Sequence, residues 1–344
     1  MKDAPSRAAL AADAPVARIE AHRRLVLEVL TTTLAGARQV IVVDWPHYQN
    51  VGDSAIWLGQ LAALRTIGVR VRATACVDSY DPVHLDQVLG EDGAVLLSGG
   101  GNFGDLWPKL QDFRERVVAD FVHRPIIQLP QSVHFQDPRR AEATAARMGA
   151  HPRFAMMVRD QPSLTAARTM LGTEALLVPD MAMALGPLRR EGTGVGLSWN
   201  SRTDLERPAD DVGKPGIPSW DWVERPAQWE SMLEERLRWR VTTPRTWWGR
   251  RVRLRRVLQQ REALRRLRWG LALLTQGEVV VTNRLHGHIL SLLLGLPQFL
   301  SDTRQGKLAA YHAQWTAGLP GVVLCASEAA ALRDAAAALS GTMA

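Results

Sequence analysis

Residues 278–307 read EVVVTNRLHGHILSLLLGLPQFLSDTRQGK, and this stretch decides the fold. Val279, Val280, Val281 and Thr282 are β-branched, which suits a short pleated strand. Asn283, Arg284, His286 and His288 gather where that strand ends and a helix begins. Residues 289–294 carry no polar group after Ser291, Gly295 and Pro297 close the run, and a second strand at 298–301 leads to Lys307. Strand, loop, helix, strand is the unit of a parallel α/β sheet, in which ligands bind at the carboxyl ends of strands. The cationic groups therefore fall where an anionic substrate would sit.

The same alternation extends to both sides. After a tail at 1–14 and a helix at 19–34, the near-continuous apolar run QVIVVD at 39–44 reads as a strand covered on both faces. Further strands are expected at 70–77, 94–97, 125–129, 154–158 and 175–178, separated by helices, and together they predict an α/β domain over 36–185. Residues 186–193 read as a linker. A second α/β domain, 194–344, starts at GVGLSW, loses its pattern in the Pro, Asp and Gly-rich residues 201–222, and resumes through helices at 227–240 and 251–276. Its last helix, 328–339, is either part of that domain or a brace on the first.

Composition narrows the class. The chain has 344 residues, 46% of them hydrophobic, enough for two cores. Its net charge of +7 is locally concentrated: between Arg250 and Arg268 stand nine arginines and one acidic residue, Glu262. A local excess points to a particular partner and not to nucleic acid along the whole surface. Cys76 and Cys325, distant in sequence and set in apolar runs, are expected as buried free thiols. The start of the chain has no apolar segment of signal-peptide type, and no run reaches the length that spans a bilayer, so a cytoplasmic protein is expected.

Several residues could carry chemistry. Gly99, Gly100 and Gly101 follow a strand and permit close backbone approach to a ligand. The letters GxGxxG are satisfied, but no acidic residue follows at the distance a dinucleotide fold requires, and there is no Walker loop. Arg159 ends an apolar strand. Arg284 and His286 share a strand-to-helix junction, where a planar guanidinium suits phosphate or carboxylate and an imidazole can move a proton. The spacing of His286 and His288 fits no metal motif, and His288 is expected to pack under the loop. Asp44, Asp53 and Asp180 lie at strand ends or helix starts, positions that caps and loop braces also occupy.

Six pieces in order, YQNVGD at 48–53, LSGGGNFGD at 97–105, LPQSVHF at 129–135, VRDQPSL at 158–164, VPD at 178–180 and TNRLHG at 282–287, with Lys307 downstream, resemble the polysaccharide pyruvyl transferase family. The resemblance implies two Rossmann-like domains facing a cleft, as in GT-B glycosyltransferases, and transfer of a pyruvyl group from phosphoenolpyruvate to a sugar as a cyclic ketal. It implies that Arg159, Arg284, His286 and Lys307 bind the donor, with Arg284 and His286 catalytic. Asn50, Asp53, Gly99, Gly100, Gly101, Asn102, Asp180 and Trp199 would then line the acceptor side, Asp53 being expected to activate the sugar hydroxyl. Neither a cofactor nor a metal is expected, since protonation at C3, attack at C2 and loss of phosphate need acid, base and cations alone.

The resemblance thins between 200 and 275. Seven tryptophans stand there, Trp220, Trp222, Trp229, Trp239, Trp247, Trp248 and Trp269, and a helix carries Leu254, Val257, Leu258, Leu264, Leu267, Leu271 and Leu274 near one side. Two readings are open: core tryptophans beside a solvated basic face, or a surface for an anionic leaflet bearing a polyprenyl-diphosphate-linked glycan. Rival functions are a sugar-nucleotide glycosyltransferase and a nonenzymatic binder of membrane or nucleic acid through the arginine-rich segment.

Overall fold

Short β-branched and aliphatic runs become buried parallel strands, and the computed structural model describes them over residues 7–190, 192, 194–204, 218–223 and 252–341. Among the described residues the strands form two sheets in which every pairing is parallel. The first contains β1 (Gln39–Val43), β2 (Arg70–Ala75), β3 (Gly93–Leu97), β4 (Gly100–Gly104), β5 (Ile126–His134), β6 (Phe154–Val158) and β7 (Ala175–Leu177). Its order is β2-β1-β3-β5-β6-β7, with β4 also paired to β5. The second contains β8 (Leu197–Asn200), β9 (Ser219–Trp220), β10 (Val279–Thr282), β11 (Gln298–Leu300) and β12 (Val322–Leu324), ordered β12-β11-β10-β8-β9.

Both orders reverse direction beside their first strand, the doubly wound arrangement of flavodoxin type and not the 3-2-1-4-5-6 order of the dinucleotide-binding fold. The switch points fall between β1 and β3 in one sheet and between β8 and β10 in the other. Those are the strands that feed the YQNVGD, SGGGN, Asn200–Asp204 and TNRLHG segments. The segments expected to hold site residues thus follow the strands at the switch points.

The contacts divide the chain into two compact units, Met1–Arg24 with Leu185–Glu224 and Leu267–Ala344, and Leu25–Ala184 with Arg225–Arg266. This differs from the contiguous division expected from sequence, because the first helix (Arg7–Thr33) and the helix Val252–Leu274 each contribute to both units. Residues 7–14, expected as part of a tail, belong to that first helix. The last helix, Glu328–Leu339, packs on its own sheet: Ala331, Leu332 and Ala335 join Trp199, Val279, Val281 and Phe299 in one core.

The glycine-rich stretch also differs. Residues expected as an open phosphate-type loop form β4, and β5 runs past its expected end at 129 to pair with it. Pro130 cannot donate to the ladder, and the pairing of β5 with β6 shifts register across it. Gly104 is obligatory there: its φ is +135°, and a Cβ would lie 1.7 Å from the His134 carbonyl oxygen.

Helix Val252–Leu274 buries only part of the expected leucine stripe. Val257 and Leu264 are exposed, while Arg255, Gln259, Ala263, Arg266, Leu267 and Leu274 are buried. The physical reason is that strand-end carbonyls beneath the helix need donors. Arg255 donates to Ser79 O, Arg256 to Val71 O, and Arg266 to Pro46 O and Tyr48 O at 2.8 Å each. The helix expected at 227–240, with Trp229, Trp239, Trp247 and Trp248, lies outside the described residues. No helix among the described residues is long and apolar enough to cross a membrane.

Candidate active site

At the β1/β3 switch point, the chain leaves β1 through Asp44, whose φ of +69° is a left-handed conformation that aspartate tolerates better than most residues. Asn50 caps the helix Val51–Thr66, its Oδ1 accepting from Gly52 N at 2.8 Å. That cap places Asp53 in the first helical turn, where the Tyr48 hydroxyl donates to it. Burial, then the carboxylates Asp53 and Asp44, hold the Tyr48 phenol well above its usual range, so it stays a proton donor. A Cβ at Gly100 would stand 3.6 Å from Asp53 Oδ1, which puts the glycine strand against this carboxylate.

Asn102 is held from three sides. Its Oδ1 accepts from Arg114 Nη2 at 2.9 Å and Gln131 Nε2 at 3.1 Å, while its amide donates to Gln131 Oε1 at 3.3 Å. Arg114, buried, also reaches Asp44 Oδ2 at 3.4 Å and lies over the Phe103 ring. Burial raises the Asp44 pKa against the opposing pull of Arg114. The edge is thus a polar floor: two carboxylates, one guanidinium, a phenol and two amides. Tyr48, Arg114 and Gln131 were missed as site residues. Tyr48 stands inside the YQNVGD motif, so a signal existed; Arg114 lies mid-helix with none.

Arg159 follows β6 and is buried. Its Nη1 donates to Asp180 Oδ2 at 2.6 Å and its Nε to Ser132 Oγ at 2.9 Å, while Ser132 Oγ donates to Asp160 Oδ2. Asp180 in turn accepts from Ala182 N at 2.8 Å. The two expected site residues Arg159 and Asp180 are therefore brought together, as an ion pair.

At the β8/β10 switch point, Arg284 is the N-cap of helix Leu285–Leu293 and provides no side-chain acceptor to its first turn. The helices starting after Asn50, Asp81, Asp137, Asp160 and Ser327 do receive such an acceptor. The positive end of this helix therefore lacks a side-chain cap where an anion could serve. The Arg284 guanidinium is buried against Asp221 Oδ2 at 2.5 Å and Asp204 Oδ2 at 3.1 Å, with the Trp222 ring 5.8 Å away. Arg202 holds Asp204 from its other side through two bonds, at 2.9 and 3.0 Å. Asp204 and Asp221 were also missed, because they lie in the segment whose pattern could not be read.

Asn283 braces the edge by accepting from Arg202 N at 2.8 Å and donating to Ser201 Oγ and Glu328 Oε1. His286 is half-buried in the first helical turn, and Gly287 admits no side chain, since a Cβ would lie 2.3 Å from Thr282 Oγ1. β11 is parallel to β10, so Lys307, half-buried at the start of helix Lys307–Tyr311, belongs to the same sheet edge. Trp199 does not line a binding surface: it is a core residue, and its indole donates to Glu328 Oε1 at 2.9 Å. His288 is wholly buried, as expected for a residue packed beneath the loop. Cys76 is buried but Cys325 only half-buried, a correction that follows from the exposure of the edge strand β12.

A family model described as polysaccharide pyruvyl transferase matches residues 50–301. The chain is 30% identical over 307 residues to Pyruvyl transferase 1 of Schizosaccharomyces pombe, covering 83% of this chain and 71% of that one. It is 30% identical over 291 residues to the putative pyruvyl transferase EpsO of Bacillus subtilis, covering 82% and 87%. A crystal structure of an uncharacterised Klebsiella pneumoniae protein shares the fold, with a TM-score of 0.58 at 15% identity over 89% of this chain and 99% of that one.

Proposed function

Because the chain belongs to the polysaccharide pyruvyl transferase family, with an activity of pyruvyl-transferase type, we propose that it moves the pyruvyl group of phosphoenolpyruvate onto two hydroxyls of a glycan precursor. The observation that carries this reading is the start of helix Leu285–Leu293, which lacks a side-chain cap and is flanked by Arg284 and His286. A donor with a phosphate and a carboxylate on three carbons needs two cationic sub-sites close together. Arg284 is the first cation proposed for the donor, with Arg159 and Lys307 the further donor-binding positions that the family resemblance assigns. Asp204, half-buried, is the partner of Arg284 that gives way to the donor, while Asp221 keeps the guanidinium oriented.

In the reaction, a proton is added to C3 of the enol and C2 gains oxocarbenium character. A sugar hydroxyl attacks C2, the C2–O bond to phosphate breaks, and a second hydroxyl closes the ketal as both hydroxyl protons are lost. His286 is the acid for C3 or the donor to the leaving phosphate, and Asp53, with Tyr48 beside it, receives the hydroxyl proton. Asn50, Asn102 and the Gly99–Gly100–Gly101 edge position the acceptor. The GT-B-like pairing of domains stays part of this proposal. So do a polyprenyl-diphosphate-linked acceptor and attachment to the inner leaflet of the cell membrane.

Phosphate release from phosphoenolpyruvate by purified protein, with a panel of lipid-linked glycans and model glycosides, tests the activity. Acceptor-dependent release, a product heavier by a pyruvyl ketal, and a loss of at least roughly a hundredfold in His286→Asn are expected. Binding of a sugar nucleotide without binding of phosphoenolpyruvate would reverse the reading in favour of a glycosyltransferase. Attachment is read separately by co-sedimentation with anionic against neutral vesicles; equal weak binding to both removes the leaflet from the proposal.

A further inference from the structure

A second group of chemistry-bearing side chains lies at the carboxyl edge of the first sheet, apart from the residues assigned to pyruvyl transfer. His47 follows β1, Cys76 directly follows β2, and Asp78 lies in the single helical turn Val77–Ser79. Trp45 N donates to Ala75 O at 3.0 Å, which carries the β1/β2 pairing beyond the strands and keeps the two loops side by side. One ring nitrogen of His47, Cys76 Sγ and one carboxylate oxygen of Asp78 all lie within 4.8 Å of one another. The His47 Nε2 to Asp78 Oδ2 distance is 3.6 Å.

From these residues we infer that His47, Cys76 and Asp78 form a binding site for a zinc-class divalent ion, with a fourth position left to solvent. A tetrahedral ion with bonds of about 2.0–2.3 Å separates its ligands by roughly 3.3–3.8 Å. His47 Nε2 and Asp78 Oδ2 stand at that separation, the three ligand atoms lie within 4.8 Å of one another, and side-chain rotations close the remainder. His47 and Asp78 can make them, their side chains being 29% and 61% exposed, while Cys76 is buried and fixes the site. Thiolate, imidazole and carboxylate together select zinc or cobalt over magnesium or calcium, which take oxygen alone. One thiolate and one carboxylate balance the charge of the ion.

The surroundings are those of a supported site. Ser79 Oγ lies 3.4 Å from Cys76 Sγ, placed to donate to a thiolate, and accepts from Cys76 N at 3.0 Å. The charged group packed nearest is Arg255, buried on helix Val252–Leu274 with its Nη1 on Ser79 O. It favours the thiolate and opposes the cation. Distance in sequence hid the site: its ligands come from two loops, and no short ligand spacing connects His47 with Cys76.

Cobalt titration of the full chain after chelator treatment tests this. The expected result is one equivalent of Co²⁺ with a thiolate-to-cobalt charge-transfer band, displaced by Zn²⁺ but not by excess Mg²⁺. Cys76→Ser abolishes the band, Cys325→Ser leaves it intact, and His47→Ala and Asp78→Ala each weaken binding by roughly tenfold or more. Absence of the band in the wild type, its survival in Cys76→Ser, or unchanged affinity in both other variants overturns the site. Should Cys76→Ser lose its folded circular-dichroism spectrum, the two more exposed variants decide.

Discussion

His288 shows how one buried side chain sets a pH dependence. Burial holds its pKa down at about 4. In the orientation that satisfies both ends of the Gln298 amide, the amide nitrogen donates to Nδ1 at 2.8 Å and so favours the neutral ring as well. Nε2 then donates to Thr316 Oγ1 at 2.9 Å, and Thr316 to His312 Nδ1. Unfolded, the ring titrates near 6.5. Between about 6.5 and 4 the unfolded chain therefore holds the extra proton, and stability falls as pH falls, by up to about 1.4 kcal/mol per unit. Urea midpoints are expected to drop across that window and to drop less in His288→Gln; His22, also held near 4, maintains the rest of the slope. A slope unaffected by the substitution would contradict the assignment. Arg284 poses the opposite case. Arg284→Ala leaves Asp221 buried without its guanidinium and is expected to cost about 3 kcal/mol in denaturant unfolding, which is why activity is better tested with His286→Asn.

Among elements, the helix Val252–Leu274 matters most for the candidate site although it carries none of the family motifs. Arg266 ties down Pro46 O and Tyr48 O, and its Nε is oriented by Glu262 at 3.0 Å. Arg266→Gln is expected to leave those carbonyls short of donors, lowering stability by about 2 kcal/mol and, through the Tyr48–Asp53 loop, kcat/KM by about tenfold. Kinetics beside a urea melt check this; full activity in a destabilised protein would confine Arg266 to a structural role. The stretch also shows why the leucine stripe misled. Leu267 and Leu274 are buried, but Arg255 and Arg266 also turn inward to backbone carbonyls while Val257 and Leu264 stay exposed, since an unpaired buried carbonyl costs about as much as a buried leucine contributes.

At the scale of the whole molecule, one buried cluster packs on the first sheet in one compact unit and another packs on the second sheet in the other unit. Calorimetry is therefore expected to show more than a single two-state transition. Gly104→Ala, which places a methyl against the His134 carbonyl, should lower the component of the first unit. Gly287→Ala, crowding Thr282 and Asn200, should lower that of the second, each by about 1–3 kcal/mol. One transition displaced equally by both would show that the units unfold together.

The sequence by itself determined the parallel α/β class and the family. Each of these rests on local signals: β-branched runs, glycines needed for close approach, and polar motifs of fixed spacing such as TNRLHG and YQNVGD. Tertiary structure alone decided that Arg159 pairs with Asp180, Arg284 with Asp204 and Asp221, and Arg114 with Asp44 and Asn102. It also decided that Trp199 is core, that Gly100–Gly104 is a strand, and that Arg255 and Arg266 of the arginine-rich helix are buried. Charge pairing and burial depend on residues distant in the chain that the sheet order brings to one edge, and no periodicity along the sequence encodes which of them will meet.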